Sequence, residues 1–130
     1  MPLSTLMLAG AVAMLVSAAG PELNGQALFA QNCSACHQLT GKGVPGAFPA
    51  LAGNRFVQGP PQPVVTTVLN GRGGMPTFRN DLSDVQIATI LTYVRSAWGN
   101  HAAPITPAIV AHQRGGAGNS ENAGAALQAH

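Results

Sequence analysis

Charge is what this sequence has least of: only 8 % of its residues are Asp, Glu, Lys or Arg, and the formal net charge is +2. A nucleic-acid binder needs a basic patch or stripe, which this balance excludes; what remains is at most mild steering of a partner. Large aromatics are scarce too, with four Phe, one Tyr and one Trp in 130 residues. A small chain so poor in bulky side chains cannot build an ample core from polypeptide alone, so a further apolar body is expected. No alternating apolar and polar run is long enough for a strand, and no internal repeat is visible. Only two cysteines occur, so there is no second ligand pair of the zinc-finger type.

What the chain does have is 16 glycines and 10 prolines, the composition of a loop-rich body, in a length that fits one folded domain. Residues 1–20 are an uncharged apolar run ending in small residues near Ala19. The run reads as an export signal without its basic n-region, as an uncleaved membrane anchor at the short limit for a span, or as a buried core helix. Export is common to the first two readings, which predicts a periplasmic location or the outer face of the cytoplasmic membrane. The folded unit is expected over 21–100. From His101 to His130 the sequence turns to Ala, Pro, Gly, Asn and Gln without apolar periodicity, which predicts an extended or disordered tail whose Pro104 and Pro107 prevent a helix.

Inside the unit the patterns predict an all-α fold with three main helices. The first starts at Asn24 as N-cap and runs into the cysteines. Pro63 opens the second in its first turn and Gly71 closes it, with Val64, Val65, Val68 and Leu69 as the apolar face. The third begins with the capping box Ser83-x-x-Gln86, flanked by Leu82 and Ile87 as a hydrophobic staple. Ile87, Ile90, Leu91, Val94 and Trp98 then share one helical face, and Gly99 is the expected stop.

Chemistry concentrates in Cys33-Ser34-Ala35-Cys36-His37. Two thiols three residues apart lie on one helical turn, where each can form a thioether to a haem vinyl group while the next residue offers its imidazole to iron. A thioredoxin-like pair needs a strand and a βαβ context that the sequence lacks. A zinc site would need a distant fourth ligand, and a disulfide here would close only a tiny loop. His101, His112 and His130 fall in the polar tail and are read as solvated.

Beyond the leader Met75 is the sole methionine, in Gly71-Arg72-Gly73-Gly74-Met75-Pro76-Thr77-Phe78. A lone methionine in a loop often just fills a packing gap. Here glycines permit close backbone approach to a flat ligand, Pro76 stiffens the exit, and His/Met pairs are an established haem ligation. An open or His-bound iron is the alternative. Arg55 and Arg72 could pair with haem propionates, whose carboxylates match guanidinium geometry, or be plain surface charges.

The Cys33–His37 motif, Met75-Pro76, the helix entering through Gly25 and Phe29, and the closing stretch Leu91 to Trp98 together resemble the class I cytochrome c family. Phe48 to Asn54 and Ser96 to Asn100 resemble more closely the cytochrome subunits of membrane-associated periplasmic dehydrogenases, which often hold three haem domains where this chain has one motif. The resemblance implies one covalent haem c wrapped by helices and loops, with the first and last helices crossing beside it. Gly25 would allow their close approach, and Phe29 would meet the face around Leu91 and Val94. It also implies that the Pro49 carbonyl accepts a hydrogen bond from the second nitrogen of His37, with Pro45 the competing candidate. The implied function is one-electron transfer, non-enzymatic, between a dehydrogenase or other redox donor and the respiratory chain or a terminal oxidase. A five-coordinate haem enzyme or gas sensor, or a fixed haem subunit of a membrane oxidoreductase, are the competing readings.

Overall fold

The computed structural model describes residues 23–115. The expected signal or anchor at 1–20 lies outside the described residues, as does the tail from 116 to 130.

Asn24 caps the first helix, its Oδ1 accepting from the Ala27 N–H at 3.1 Å, and α1 runs Gly25–Asn32. Cys33, with φ −125°, breaks the helical geometry, and a single further turn, α2, spans Ser34–His37. α3 is Pro61–Asn70. It starts two residues before the expected Pro63, because prolines at both 61 and 63 fit a first turn whose N–H groups have no helical partner. Gly71, at φ 75°, ends it as expected. α4 is Asp84–Val94, with both halves of the Ser83/Gln86 capping box formed.

Regular helix stops at Val94, short of the expected Gly99. The cause is local: the Val94 carbonyl accepts from the Asn100 side chain at 2.9 Å instead of continuing the ladder, and Trp98 turns out at φ 54°. Its indole joins Phe29 and Tyr93 in a three-ring cluster with centroids 5.1–5.7 Å apart. Among the described residues there is no strand, only the isolated bridges Val44↔Phe48 and Arg72↔Met75.

α1 crosses α4 at Gly25, where a Cβ would come within 2.7 Å of the Thr89 carbonyl oxygen and of the Tyr93 Cβ. Only glycine permits that approach. Phe29, Val65, Leu69 and Ile87 are the fully buried centre of the core.

The extended-tail expectation fails for residues 101–115, which pack against the body. Residues 107–115 form a further helix, α5, and Ile105 and Val110 are buried. Pro107 does not break this helix because it sits at the first helical position, behind Thr106, whose Oγ1 accepts from the Ile109 N–H at 3.2 Å. Thr92 on α4 exchanges two hydrogen bonds with the Ile105 backbone, at 3.0 and 3.1 Å. At the other end Arg114 pairs with Asp84 at 2.7 Å and donates to the Leu82 carbonyl at 3.0 Å. α5 thus runs back along α4 as a strap.

Candidate haem site

The break at Cys33 places two thiols and one imidazole on a single turn. Cys33 and Cys36 are free and half-buried, and His37 is buried. Burial, with Cys36 adding to it, pushes the Cys33 thiol up to about 11. A redox CxxC pair needs the opposite, a depressed thiol. Among the described residues no three His, Cys, Asp or Glu side chains are grouped to hold a bare metal ion, so the zinc reading finds no site there.

His37 is oriented by one contact. Its Nδ1 lies 2.9 Å from the Pro49 carbonyl oxygen, which can only accept, so Nδ1 donates, and in the neutral ring the lone pair is on Nε2. Nε2 has no hydrogen-bond partner among the described residues. Pro49, not Pro45, makes this contact. The loop that delivers it depends on Gly43, at φ 61°, whose N–H donates to the His37 carbonyl at 2.9 Å. A Cβ there would stand 2.6 Å from the Pro49 oxygen.

Three side chains that sequence reasoning did not single out hold these loops. Asn100, fully buried, accepts from the Gly53 N–H at 2.8 Å and donates to the Leu51 and Val94 carbonyls at 3.0 and 2.9 Å. Arg95, also buried, donates to the carbonyls of Val57, Gly59 and Ala103 at 2.6–2.8 Å. Burial holds its guanidinium below the usual arginine range. Asn54 closes the turn between them, donating to the Ala50 carbonyl and accepting from the Phe56 N–H, each at 2.8 Å. Arg95 could have been found: it follows Ile87 and Leu91 at i+8 and i+4, on the helix's buried face.

Met75 is half-buried at the end of a tight turn in which Arg72 and Met75 exchange backbone hydrogen bonds at 2.9 and 3.2 Å. The Phe78 N–H to Val68 carbonyl bond, at 3.0 Å, ties this loop to α3. The Arg72 guanidinium lies 5.7 Å above the Phe56 ring, joining the Met75 loop to the 54–57 turn. Arg55 and Arg72 are both exposed, as are His101 and His112.

A flat apolar group suits this end of the molecule. Val44, Phe48 and Phe56 are 38–41 % exposed on the loops around the motif, a large apolar exposure for so small a body. Two thiols for thioethers, an imidazole with a free nitrogen and apolar walls are the donor set of a c-type haem.

A covalent-haem electron-transfer domain of all-α type is therefore the class that fold and site define. Residues 20–94 match the family described as "Cytochrome C oxidase, cbb3-type, subunit III", and the chain belongs to this cytochrome c family. Its cofactor is haem c, bound covalently through Cys33 and Cys36, the only cysteines of the chain. The chain is similar to the cytochrome c subunit of alcohol dehydrogenase (quinone) of Gluconobacter oxydans, 31 % identical over an alignment of 105 residues that covers 72 % of this chain and 22 % of that protein. It is similar to the fructose dehydrogenase cytochrome subunit of Gluconobacter japonicus, 36 % identical over 108 residues, again 72 % and 22 % of the two chains. Cytochrome c-552 of Thermus thermophilus is 33 % identical over 95 residues, 61 % of this chain and 71 % of that one. The match thus spans only 22 % of the length of the two dehydrogenase subunits.

Proposed function

We propose that this protein is an exported one-electron carrier with His37 and Met75 as axial ligands, passing electrons from a dehydrogenase or other redox donor toward the respiratory chain. The observation that carries the reading is the His37 to Pro49 hydrogen bond, which occupies Nδ1 and leaves Nε2 of the neutral ring as the nitrogen free to bind iron, on the same turn as two free thiols. When bound, the haem supplies a single ferric/ferrous couple.

The polypeptide's share is positional. Pro49 fixes the imidazole ring and strengthens it as a ligand. Gly43 makes room for that carbonyl, and Asn100 and Arg95 hold the loops on either side. The Arg72–Met75 turn offers a thioether from the other loop. Were His37 and Met75 both to hold the iron, no position would be left for oxygen or an organic substrate, and the protein would be a carrier and not an enzyme. The dehydrogenase cytochrome subunits among its relatives support a dehydrogenase as donor.

The ferric holoprotein is expected to show the near-infrared charge-transfer band of sulfur-ligated haem. Met75→Ala should abolish that band and lower the reduction potential, while Met75→His restores a low-spin spectrum at a lower potential. A Met75→Ala protein with the parent spectrum would falsify the ligation.

A further inference from the structure

The loop that carries Met75 is fastened at its exit from two sides. The end of α3 takes one side: Thr77 Oγ1 donates to the Leu69 carbonyl, and the Phe78 N–H donates to the Val68 carbonyl at 3.0 Å. The same helix fixes the entry, where Gly71, at φ 75°, packs so closely on the Met75 carbonyl that a Cβ would stand 2.6 Å from its oxygen. The other side of the exit is held by α5, 35 residues further along the chain.

Arg79 and Arg114 form a reciprocal clasp there. Arg79 Nη1 donates to the Arg114 carbonyl at 3.1 Å, and Arg114 Nη1 donates to the Arg79 carbonyl. Each guanidinium has a second hold. Arg79 Nη2 reaches the Oδ1 of Asn70, the last residue of α3, at 2.7 Å, while Arg114 holds Asp84, the first residue of α4, and the Leu82 carbonyl. Both side chains are half-buried. An arginine kept for charge alone turns into water and contributes little. These two give their donors to main-chain carbonyls, which fixes the position of backbone. The stretch matched by the family ends at residue 94, short of α5.

We infer that the Arg79–Arg114 clasp is a positioning device for the Met75 thioether: by tying the loop exit to α5 and α4 it keeps the sulfur on the iron and competing small ligands off it. The inference rests on the reading of Met75 as axial ligand and adds what keeps it in place. Met75 is then an intramolecular ligand, whose occupancy is set by the effective concentration its loop confers. A loop fastened only to α3 sweeps a larger volume than one fastened to α5 as well. A competitor binds iron only in the fraction of molecules whose sulfur is away, so its apparent affinity is reduced by that fraction. Loosening the clasp enlarges the fraction.

The test uses the ferric holoprotein and imidazole, a competitor for the Met75 position, followed by loss of the near-infrared sulfur band. Arg79→Gln and Arg114→Gln each break one half of the clasp. Arg79→Gln leaves the Arg114 contacts with Asp84 and Leu82 in place, so it serves even where Arg114→Gln does not fold. Thr92→Val, which removes the two hydrogen bonds at the far end of the strap, is the control for lost stability alone. Both clasp variants should bind imidazole about tenfold more tightly, the order of one charge-assisted hydrogen bond, and their plateau binding rate should rise. Thr92→Val should bind it as the parent does. In a Met75→Ala background, where no sulfur competes, neither clasp substitution should alter imidazole affinity.

Unaltered imidazole affinity in a folded clasp variant overturns the inference while Met75 ligation stands. So does an equal gain in Thr92→Val, which assigns the effect to general loosening of the strap. A gain that survives in the Met75→Ala background also overturns it, because the clasp then acts on something other than the sulfur. A parent that lacks the near-infrared band and binds imidazole as tightly as Met75→Ala refutes Met75 ligation itself, and the inference falls with it.

Discussion

At the scale of single residues the most consequential side chain is Asn100, an uncharged group with three backbone partners. It joins the Gly53 N–H, the Leu51 carbonyl and the Val94 carbonyl in one buried node. Removing it strands all three groups away from water. Asn100→Ala is expected to cost about 2–3 kcal/mol, with each lost partnership worth roughly 1 kcal/mol. Denaturant unfolding of the holoprotein measures this, and a change below about 0.5 kcal/mol, the size of an ordinary surface substitution, would contradict the node. Arg95 belongs to the same class: an arginine with carbonyls and no carboxylate for company, held as a structural donor. Much of this scale was legible beforehand for residues tied to a motif, since Cys33, Cys36 and His37 carry their chemistry in their spacing. The bracing residues were not, because an Asn or Arg has a role only through the distant carbonyls that folding brings to it.

At the scale of elements, patterns that depend on neighbouring residues read well. Asn24 caps α1, the Ser83/Gln86 box caps α4, and Gly71 ends α3, each because the partners lie within four residues. The end of α4 and the whole of α5 were misjudged for the converse reason. Asn100 takes the Val94 carbonyl from six residues away, and α5 gains its place from Ile105 and Val110 meeting a core built elsewhere. Ile105, Ile109 and Val110 are too few to register as a periodic face in so Ala- and Pro-rich a stretch. The strap therefore makes a sharp prediction. Ending the chain after Asn100 should destabilise the holoprotein by several kcal/mol, at about 1.5–3 kcal/mol for each of Ile105 and Val110. Thermal unfolding of the shortened holoprotein checks it, and an unchanged midpoint would show that α5 merely rests on the surface.

At the scale of the whole molecule the haem is expected to complete the core. Val44, Phe48 and Phe56 are large side chains left open to solvent around the motif, while the α1/α4 crossing is tightly packed on its own. The double variant Cys33→Ala, Cys36→Ala, which cannot form thioethers, should keep helical far-ultraviolet dichroism, bind a dye for exposed apolar surface and lose its sharp unfolding transition. Amide exchange should then protect α1 and α4 most and the loops 38–58 and 71–78 least. Protection of those loops equal to that in the holoprotein would mean that polypeptide alone orders them.

The clamp of Arg114 on Asp84 fixes more than a helix. It ties the last described turn of α5 to the start of α4, on a different element from the loops of His37 and Met75. A disturbance at either of these two helix ends is therefore passed directly to the other.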